Sequence, residues 1–282
     1  MKLKDLFEYA VKSLKDSKIE NPQLEAIILI QEFLKIPKHK IFTQPDLEIT
    51  DYQNFLDALE ERVKRKPLSY IVKKKEFFGL EFYVDKGVLI PRPETEILVE
   101  KVLESLKTKE NPIGLEVGVG SGCISISLLH NKKDLKMVAL DISEKALQIT
   151  KINAEKFNVL DRITLKNFDI MKDDLESLGI EYVDFVVSNP PYIPEKDYEN
   201  LQEEVKHEPK EALIAGKVGT EFYEKIVERL KSLLKEDGFF AFEIGIGQSE
   251  QVKNILERNG FKKVKIYKDL ASIDRVVIAF KI

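Results

Sequence analysis

The residues with the clearest chemical potential are Asn189, Pro190, Pro191 and Tyr192, which directly follow the apolar run FVVS. Neither proline can donate a backbone N–H to a sheet, so a strand over this run must end at the motif. The Asn189 side-chain oxygen and the Pro190 carbonyl can each accept a hydrogen bond from a planar NH2 group, and the Tyr192 ring can stack on its face. The segment is either a rigid turn or a site for a planar amine or amide.

Such a site would favour one kind of chemistry. Amide and aromatic amine nitrogens are poor nucleophiles because their lone pair is delocalised. Two acceptors would draw the nitrogen toward tetrahedral geometry and localise that pair. In-line attack on a methyl group attached to a sulfonium then depends on positioning and electrostatics more than on a strong base. The motif therefore indicates a site for a planar amine or amide, and methyl transfer from a cofactor is a reaction that such a site would suit.

A glycine-rich segment upstream is typical of a cofactor loop. Gly118, Val119, Gly120, Ser121 and Gly122 lie between a predicted strand, IGLEVGV, and a predicted helix, CISISLLHN. Glycines at such a junction permit a tight turn and bring a ligand close to bare backbone. The spacing is GxGxG rather than GxGxxG, and no hydride-transfer residues accompany it, which disfavours a dehydrogenase.

Two more candidates come at the ends of the next two predicted strands. Asp141 follows the run MVAL, at about the distance at which such folds place a ribose-binding acid. Phe168 follows the run ITLKN, where its ring could flank an adenine or could simply belong to the core. With the glycine loop, these residues predict a site for an adenosine-containing cofactor at the carboxyl edge of a sheet.

The order of elements determines whether these residues can meet. From about residue 113, short apolar runs alternate with amphipathic helices, which predicts an α/β domain with a mostly parallel sheet covered on both faces. The last two strands have a tight connection, which predicts an antiparallel pair at one edge. The strand before Asn189 is the fourth of the series, and we expect it beside the first, facing the glycine loop.

The first part of the chain has a different pattern. Apolar residues recur at helical spacing through residues 1–74, which predicts a small helical bundle. Residues 75–92 alternate and contain glycines, which predicts a linking β-hairpin. The predicted α/β domain covers 93–282. Basic residues between Lys64 and Lys75 form either a solvated face or a local contact with a nucleic acid or acidic partner.

Composition narrows the function further. The 282 residues carry a net charge of −4, so a broad nucleic-acid surface is not expected. The single cysteine, Cys123, permits no intrachain disulfide, and we expect neither a secretory signal nor a membrane span. These features favour the cytoplasm. The three histidines are scattered, so no metal site is predicted.

Several segments together resemble one family over essentially the whole chain. They are IPRPETE, VGSGCISI, DISEKAL, SNPPYIP and HEPKEALIAGKVGTEFY. A [NDS]PP[YFW] motif after a GxGxG loop is the signature of S-adenosyl-L-methionine-dependent amino-methyltransferases, and the chain is similar to their HemK/PrmC branch, the release factor glutamine methyltransferases. That family combines a small N-terminal helical domain, a hairpin and a Rossmann-like class I methyltransferase domain. This chain departs from it at Glu116, usually Asp, and at Phe168, often Trp.

The resemblance implies a specific activity. Methyl transfer from S-adenosyl-L-methionine would modify the side-chain amide nitrogen (N5) of the glutamine in the GGQ motif of class I peptide chain release factors, a protein methylation in translation termination. The product would be S-adenosyl-L-homocysteine. The helical domain would recognise the release factor, and we expect a monomer.

The same resemblance assigns roles to individual residues. The five loop residues 118–122, Asp141, Phe168 and Asn189 would bind the cofactor. Residues 189–192 would bind the glutamine, with Asn189, Pro190 and Tyr192 as catalytic groups.

The alternatives left open are an amino-methyltransferase acting on a nucleobase, such as adenine of DNA or RNA, or on a ribosomal protein glutamine. A binding module without catalysis would leave the motifs unexplained.

Overall fold

The computed structural model describes residues 1–281, which divide into two compact units. The first contains Met1–Lys74 together with Gln202–His207, and the second contains the remaining described residues. The sequence did not predict the return of 202–207 to the helical unit, because this polar segment has no pattern that distinguishes it from the loop around it.

The first unit is helical, as its apolar spacing predicts. The α1 residues Leu3, Leu6, Ala10 and Leu14 follow one another at three- and four-residue intervals, and all are fully buried. α2 continues into a π-helical turn, Ile30–Leu34, which stops where Lys35 adopts a left-handed conformation. The helices of this unit are α1 (Leu3–Asp16), α2 (Pro22–Leu29), α3 (Lys38–Thr43), α4 (Gln53–Val63) and α5 (Leu68–Val72).

Basic residues at the end of this unit are held in ion pairs inside it. Arg62 is 5% exposed, and its Nε donates to Glu25 Oε2 at 2.5 Å. Glu204 accepts from both Arg62 (3.2 Å) and Arg65 (2.7 Å), which explains why its segment belongs to this unit. Further pairs are Lys64–Glu60, Lys66–Glu61 and Lys74–Glu32. These charges are therefore largely neutralised by neighbours in their own unit, which favours the solvated-face interpretation.

A two-stranded sheet, β1 (Lys74–Phe77) and β2 (Leu80–Tyr83), follows the helices. Phe78 and Gly79 connect the strands, and both have positive φ (50° and 73°). The hairpin is thus shorter than the predicted 75–92, since residues 84–92 form no strand.

The second unit is built on a seven-stranded sheet of order β10-β11-β9-β6-β3-β4-β5. The strands of this sheet are β3 (Ile113–Val117), β4 (Lys136–Asp141), β5 (Ile163–Asn167), β6 (Val183–Ser188), β9 (Leu234–Glu243), β10 (Lys262–Lys268) and β11 (Asp274–Phe280). A separate short parallel pair consists of β7 (Ile193–Pro194) and β8 (Ile214–Gly216). The helices are α6 (Thr95–Ser105), α7 (Cys123–Asn131), α8 (Glu144–Lys156), α9 (Glu221–Leu230) and α10 (Ser249–Arg258).

The sheet confirms the predicted topology. β3 pairs in parallel with β4 and β6, so the strand that ends before Asn189 lies beside the strand that ends at the glycine loop. The antiparallel pair is at one edge, where β11 runs between β10 and β9 and opposite to both. Gly114 makes the β3–β6 contact possible, because a Cβ there would lie 2.3 Å from the Phe185 ring.

Within residues 1–281, no helix combines the length and the apolar character that a membrane crossing requires.

Candidate active site

The glycine loop leaves its backbone open on one side. Gly118, Gly120 and Gly122 all have positive φ (76°, 56° and 82°), a conformation that disfavours side chains. A Cβ added at Gly118 or Gly120 would meet no atom within 4 Å. The amides of Gly118 and Val119 both donate to the Leu140 carbonyl at the end of β4 (2.8 and 3.0 Å). The loop is therefore fixed, and open space lies against its bare backbone.

Asp141 lies at the end of β4 and is fixed against this loop. Its Oδ2 accepts from the Gly120 amide and its Oδ1 from the Ser143 amide, each at 2.9 Å. Burial raises the pKa of Asp141, although these backbone donors oppose the rise. Each oxygen keeps a second lone pair, so the carboxylate can still accept from a pair of ligand hydroxyls.

Glu116, at a position where the family usually has Asp, contacts the first turn of α7. Its Oε2 accepts from the Ser125 amide (3.0 Å) and from the Ser125 hydroxyl. Its Oε1 and the buried Ser121 Oγ have no hydrogen-bond partner among the described residues. Two polar atoms without partners therefore lie at the base of the loop.

The pH dependence of stability should reveal Glu116. Burial raises its pKa to about 8, so at pH 6 the folded protein holds a proton that the unfolded chain has released. Stability should therefore fall as pH rises from about 5 to 8, with Glu116 contributing on the order of 1 kcal/mol per pH unit. Glu116→Gln should make the slope shallower in urea unfolding at pH 5.5, 6.5 and 7.5. The control is the exposed Glu110→Gln; parallel curves for Glu116→Gln and the native chain would contradict the assignment.

Phe168 lies in the core. It is 4% exposed and packs in the same cluster as Leu140 and Ile170, while its amide donates to the Asp141 carbonyl at 3.0 Å. Its role toward a cofactor stays a prediction. An apolar side chain that is exposed at this edge is Ile142, directly after Asp141, with 53% of its surface accessible.

The end of β6 is tied to the glycine loop. The buried Ser188 hydroxyl donates to the carbonyl of Val117 at 2.7 Å, one residue before the loop begins. Asn189 follows, half-buried, and its Nδ2 donates to Thr95 Oγ1 at 3.3 Å. Its Oδ1 makes no hydrogen bond to another described residue's side chain, so the acceptor needed for a planar NH2 group is available.

Tyr192 is anchored by Gln248, which precedes α10. Gln248 Nε2 donates to the Tyr192 carbonyl (3.0 Å) and to the Gly219 carbonyl (3.1 Å), while its Oε1 accepts from the Gly245 amide (3.0 Å). Burial raises the pKa of the Tyr192 phenol to about 12, so the ring stays neutral. This network holds the end of the Asn189–Tyr192 motif in one position.

Three residues of this site were not predicted from the sequence. They are Thr95, Gln248 and Glu243. Thr95 lies in IPRPETE, one of the segments that resemble the family, but no role was assigned to it. Glu243 looked like a strand end, and the glycines around Gln248, in the run GIGQ, were a local signal.

Comparisons with known proteins agree with this geometry. Residues 5–72 match the family model "PrmC N-terminal domain", and residues 93–220 match "Methyltransferase small domain". The release factor glutamine methyltransferase of Clostridium acetobutylicum is 40% identical, over 100% of this chain and 99% of that protein. The protein of the same name from Aquifex aeolicus is 44% identical, over 90% of each chain.

A solved structure extends the agreement to the fold. The hMettl16 catalytic domain in complex with MAT2A 3'UTR hairpin 6 matches with a TM-score of 0.59 at 19% identity, over 79% of this chain and 81% of that one. The fold is thus that of the class I methyltransferases, as the sequence predicted. With the full-length identity to the two relatives, these matches establish that the chain belongs to the release factor glutamine methyltransferase family.

Proposed function

We propose that this protein transfers a methyl group from S-adenosyl-L-methionine to N5 of the glutamine in the GGQ motif of class I peptide chain release factors. The observation that carries the proposal is the orientation of Asn189. Thr95 Oγ1 accepts from Asn189 Nδ2, so Asn189 Oδ1 is left as an acceptor, as is the carbonyl of the following residue, Pro190. The strand before Asn189 pairs with the strand that ends at the glycine loop. A primary amide offers the two N–H groups that such a pair of acceptors requires.

The residues at the loop fit the cofactor. The open space above Gly118 and Gly120 suits a ligand that lies on bare backbone, and Asp141 offers lone pairs for two ribose hydroxyls. Glu116 Oε1, which has no partner, can face the ammonium group of the methionine part, whose positive charge would lower the raised pKa of this acid and favour its ionised form. Ser121 Oγ offers a further polar contact. The proposed cofactor-binding set also includes Val119, Gly122 and Phe168. Phe168 would act indirectly, because it packs in the core and its amide donates to the Asp141 carbonyl.

The protein's contribution is binding and orientation. S-adenosyl-L-methionine supplies an electrophilic methyl group on a sulfonium, so an N–CH3 bond forms as the S–CH3 bond breaks, the sulfonium becomes the neutral thioether of S-adenosyl-L-homocysteine, and the amide nitrogen releases one proton. Asn189 and Pro190 hold the amide N–H groups and localise the lone pair. Pro191 stiffens the segment, and the neutral Tyr192 ring provides a flat apolar contact.

Methyl incorporation tests this function directly. The protein and methyl-labelled S-adenosyl-L-methionine are incubated with an intact class I release factor, and the digested factor is analysed by mass spectrometry. We expect one methyl group on the GGQ glutamine. A release factor with that glutamine replaced by asparagine is the control and should take up no label. Label found only in parallel incubations with DNA, RNA or ribosomal proteins would overturn the proposal and support the alternative substrates.

The helical unit has a separate proposed role. Its ion pairs and its own hydrophobic core make it a compact body. We assign to it the recognition of a release factor surface outside the GGQ loop, which a short GGQ peptide lacks.

A further inference from the structure

One buried hydroxyl connects Asn189 to a buried acid. Thr95, the first residue of α6, is 1% exposed. Its Oγ1 accepts from Asn189 Nδ2 at 3.3 Å, and Thr95 lies close enough to the Glu243 carboxyl, at the end of β9, to oppose the rise in the pKa of that acid. Three elements that are far apart in the sequence therefore meet at this hydroxyl.

The direction of the Asn189–Thr95 hydrogen bond follows from the number of protons, and it leaves the hydroxyl one proton for a second bond. An amide NH2 group can only donate, so Thr95 Oγ1 must be the acceptor toward Asn189. A hydroxyl carries one proton, and that proton is then free to be donated to Glu243. If Glu243 were absent, the hydroxyl could rotate and donate to Asn189 instead. The Asn189 amide would then rotate so that its Oδ1 accepts from this hydroxyl and its Nδ2 points toward the cleft.

We propose that Thr95 and Glu243 are positioning residues that fix the Asn189 amide with its oxygen toward the substrate. This inference rests on the proposed function for its catalytic consequence. A reversed Asn189 would present N–H groups to the N–H groups of the glutamine amide, and the site would lose one of its two acceptors. The chain Glu243–Thr95–Asn189 therefore determines whether the motif can accept hydrogen bonds from its substrate.

The surroundings of Glu243 suit this role. The residue is 3% exposed, and its Oε2 has no hydrogen-bond partner among the described residues. Burial raises the pKa of Glu243 to about 7, so ionisation increases through neutral pH and makes the carboxylate a stronger acceptor for Thr95. The titratable and charged groups that face it are Arg92, Glu94, Cys123, Tyr192, Tyr223 and Arg275.

A pair of substitutions at Thr95 separates the hydroxyl from the packing. Thr95→Val keeps the shape but removes the hydroxyl, and we expect kcat to fall on the order of 10-fold or more, with KM for S-adenosyl-L-methionine within about 3-fold. Thr95→Ser keeps the hydroxyl and should retain kcat within about 3-fold. Thermal melting of both variants checks that each is folded. A Thr95→Val enzyme with native kcat would overturn the proposal, as would equal losses in the two variants.

Glu243→Gln tests whether the acid acts through Thr95. Its loss in kcat should be non-additive with Thr95→Val, because the hydroxyl that it orients is already absent in the double variant. The native kcat should rise with pH through about 7, and this rise should disappear in Glu243→Gln. Additive losses, or an unchanged pH profile, would contradict the connection.

The orientation of Asn189 can also be tested without measuring catalysis. Exchange of the Asn189 side-chain amide protons with solvent can be followed by NMR, with the signal assigned by its absence in Asn189→Ala. We expect protection in the native protein and in Thr95→Ser, and faster exchange in Thr95→Val. Native protein that shows this pattern but methylates no release factor would refute the proposed function alone. Equal exchange in all three proteins would refute the orientation of Asn189.

Discussion

Asn189→Ala is expected to lower kcat for release factor methylation by at least about 100-fold while S-adenosyl-L-methionine affinity stays within about 3-fold. The reason is that, in the proposed mechanism, the substitution removes one of the two acceptors for the reacting nitrogen. The Pro190 carbonyl remains, but a single acceptor neither fixes the plane of the amide nor localises its lone pair to the same degree. The proposed cofactor contacts at the glycine loop and Asp141 are not altered by this substitution.

The measurement is initial-rate methylation, combined with calorimetric titration of S-adenosyl-L-methionine. Because Thr95 Oγ1 loses its donor in this variant, thermal melting is needed to show that the fold survives. Asn200→Ala, at an exposed asparagine of the same unit, is the matched control and should behave as the native chain. Near-native turnover of Asn189→Ala would refute the assigned role. Loss of cofactor affinity as large as the loss of kcat would move Asn189 from the substrate to the cofactor.

Much of this site could be predicted because its constraints are local in the chain. Two prolines end a strand wherever they occur, and alternating glycines after a strand mark a loop that needs positive φ, as Gly118 and Gly120 show. The parallel order of strands then brings these chain segments to one edge, so the contact between the Asp141 carboxylate and the Gly120 amide follows from topology.

The features that the sequence did not predict depend on the direction of side chains and on contacts between residues far apart in the chain. Thr95 contacts Asn189, and Glu243 lies near Thr95, only because α6 and β9 pack together in one particular way, which no local pattern encodes. Phe168 shows the same limit, since a residue at a strand end can face the core or the cleft, and here the ring faces the core. Glu204 joins the helical unit through Arg62 and Arg65, two charges that its own segment does not reveal.

Deletion of residues 1–74 is expected to lower kcat/KM for an intact release factor on the order of 100-fold, while a short GGQ peptide should lose no more than about 3-fold. An intact factor that contacts the helical unit gains a second attachment, which raises the effective concentration of its GGQ loop at the site. The peptide has no such second contact, so the methyltransferase unit alone should treat it almost as the full chain does.

The ion pairs of Glu204 require one additional substitution in this deletion experiment. Deletion leaves Glu204 without Arg62 and Arg65, so Glu204→Gln should be included in the shortened chain, with full-length Glu204→Gln as its matched control. Cofactor titration and melting then establish that the second unit is still folded. A loss confined to the intact factor assigns recognition to the helical unit. Equal losses on the factor and the peptide would show instead that residues 1–74 support the fold of the catalytic unit, and recognition would have to reside in the methyltransferase unit itself.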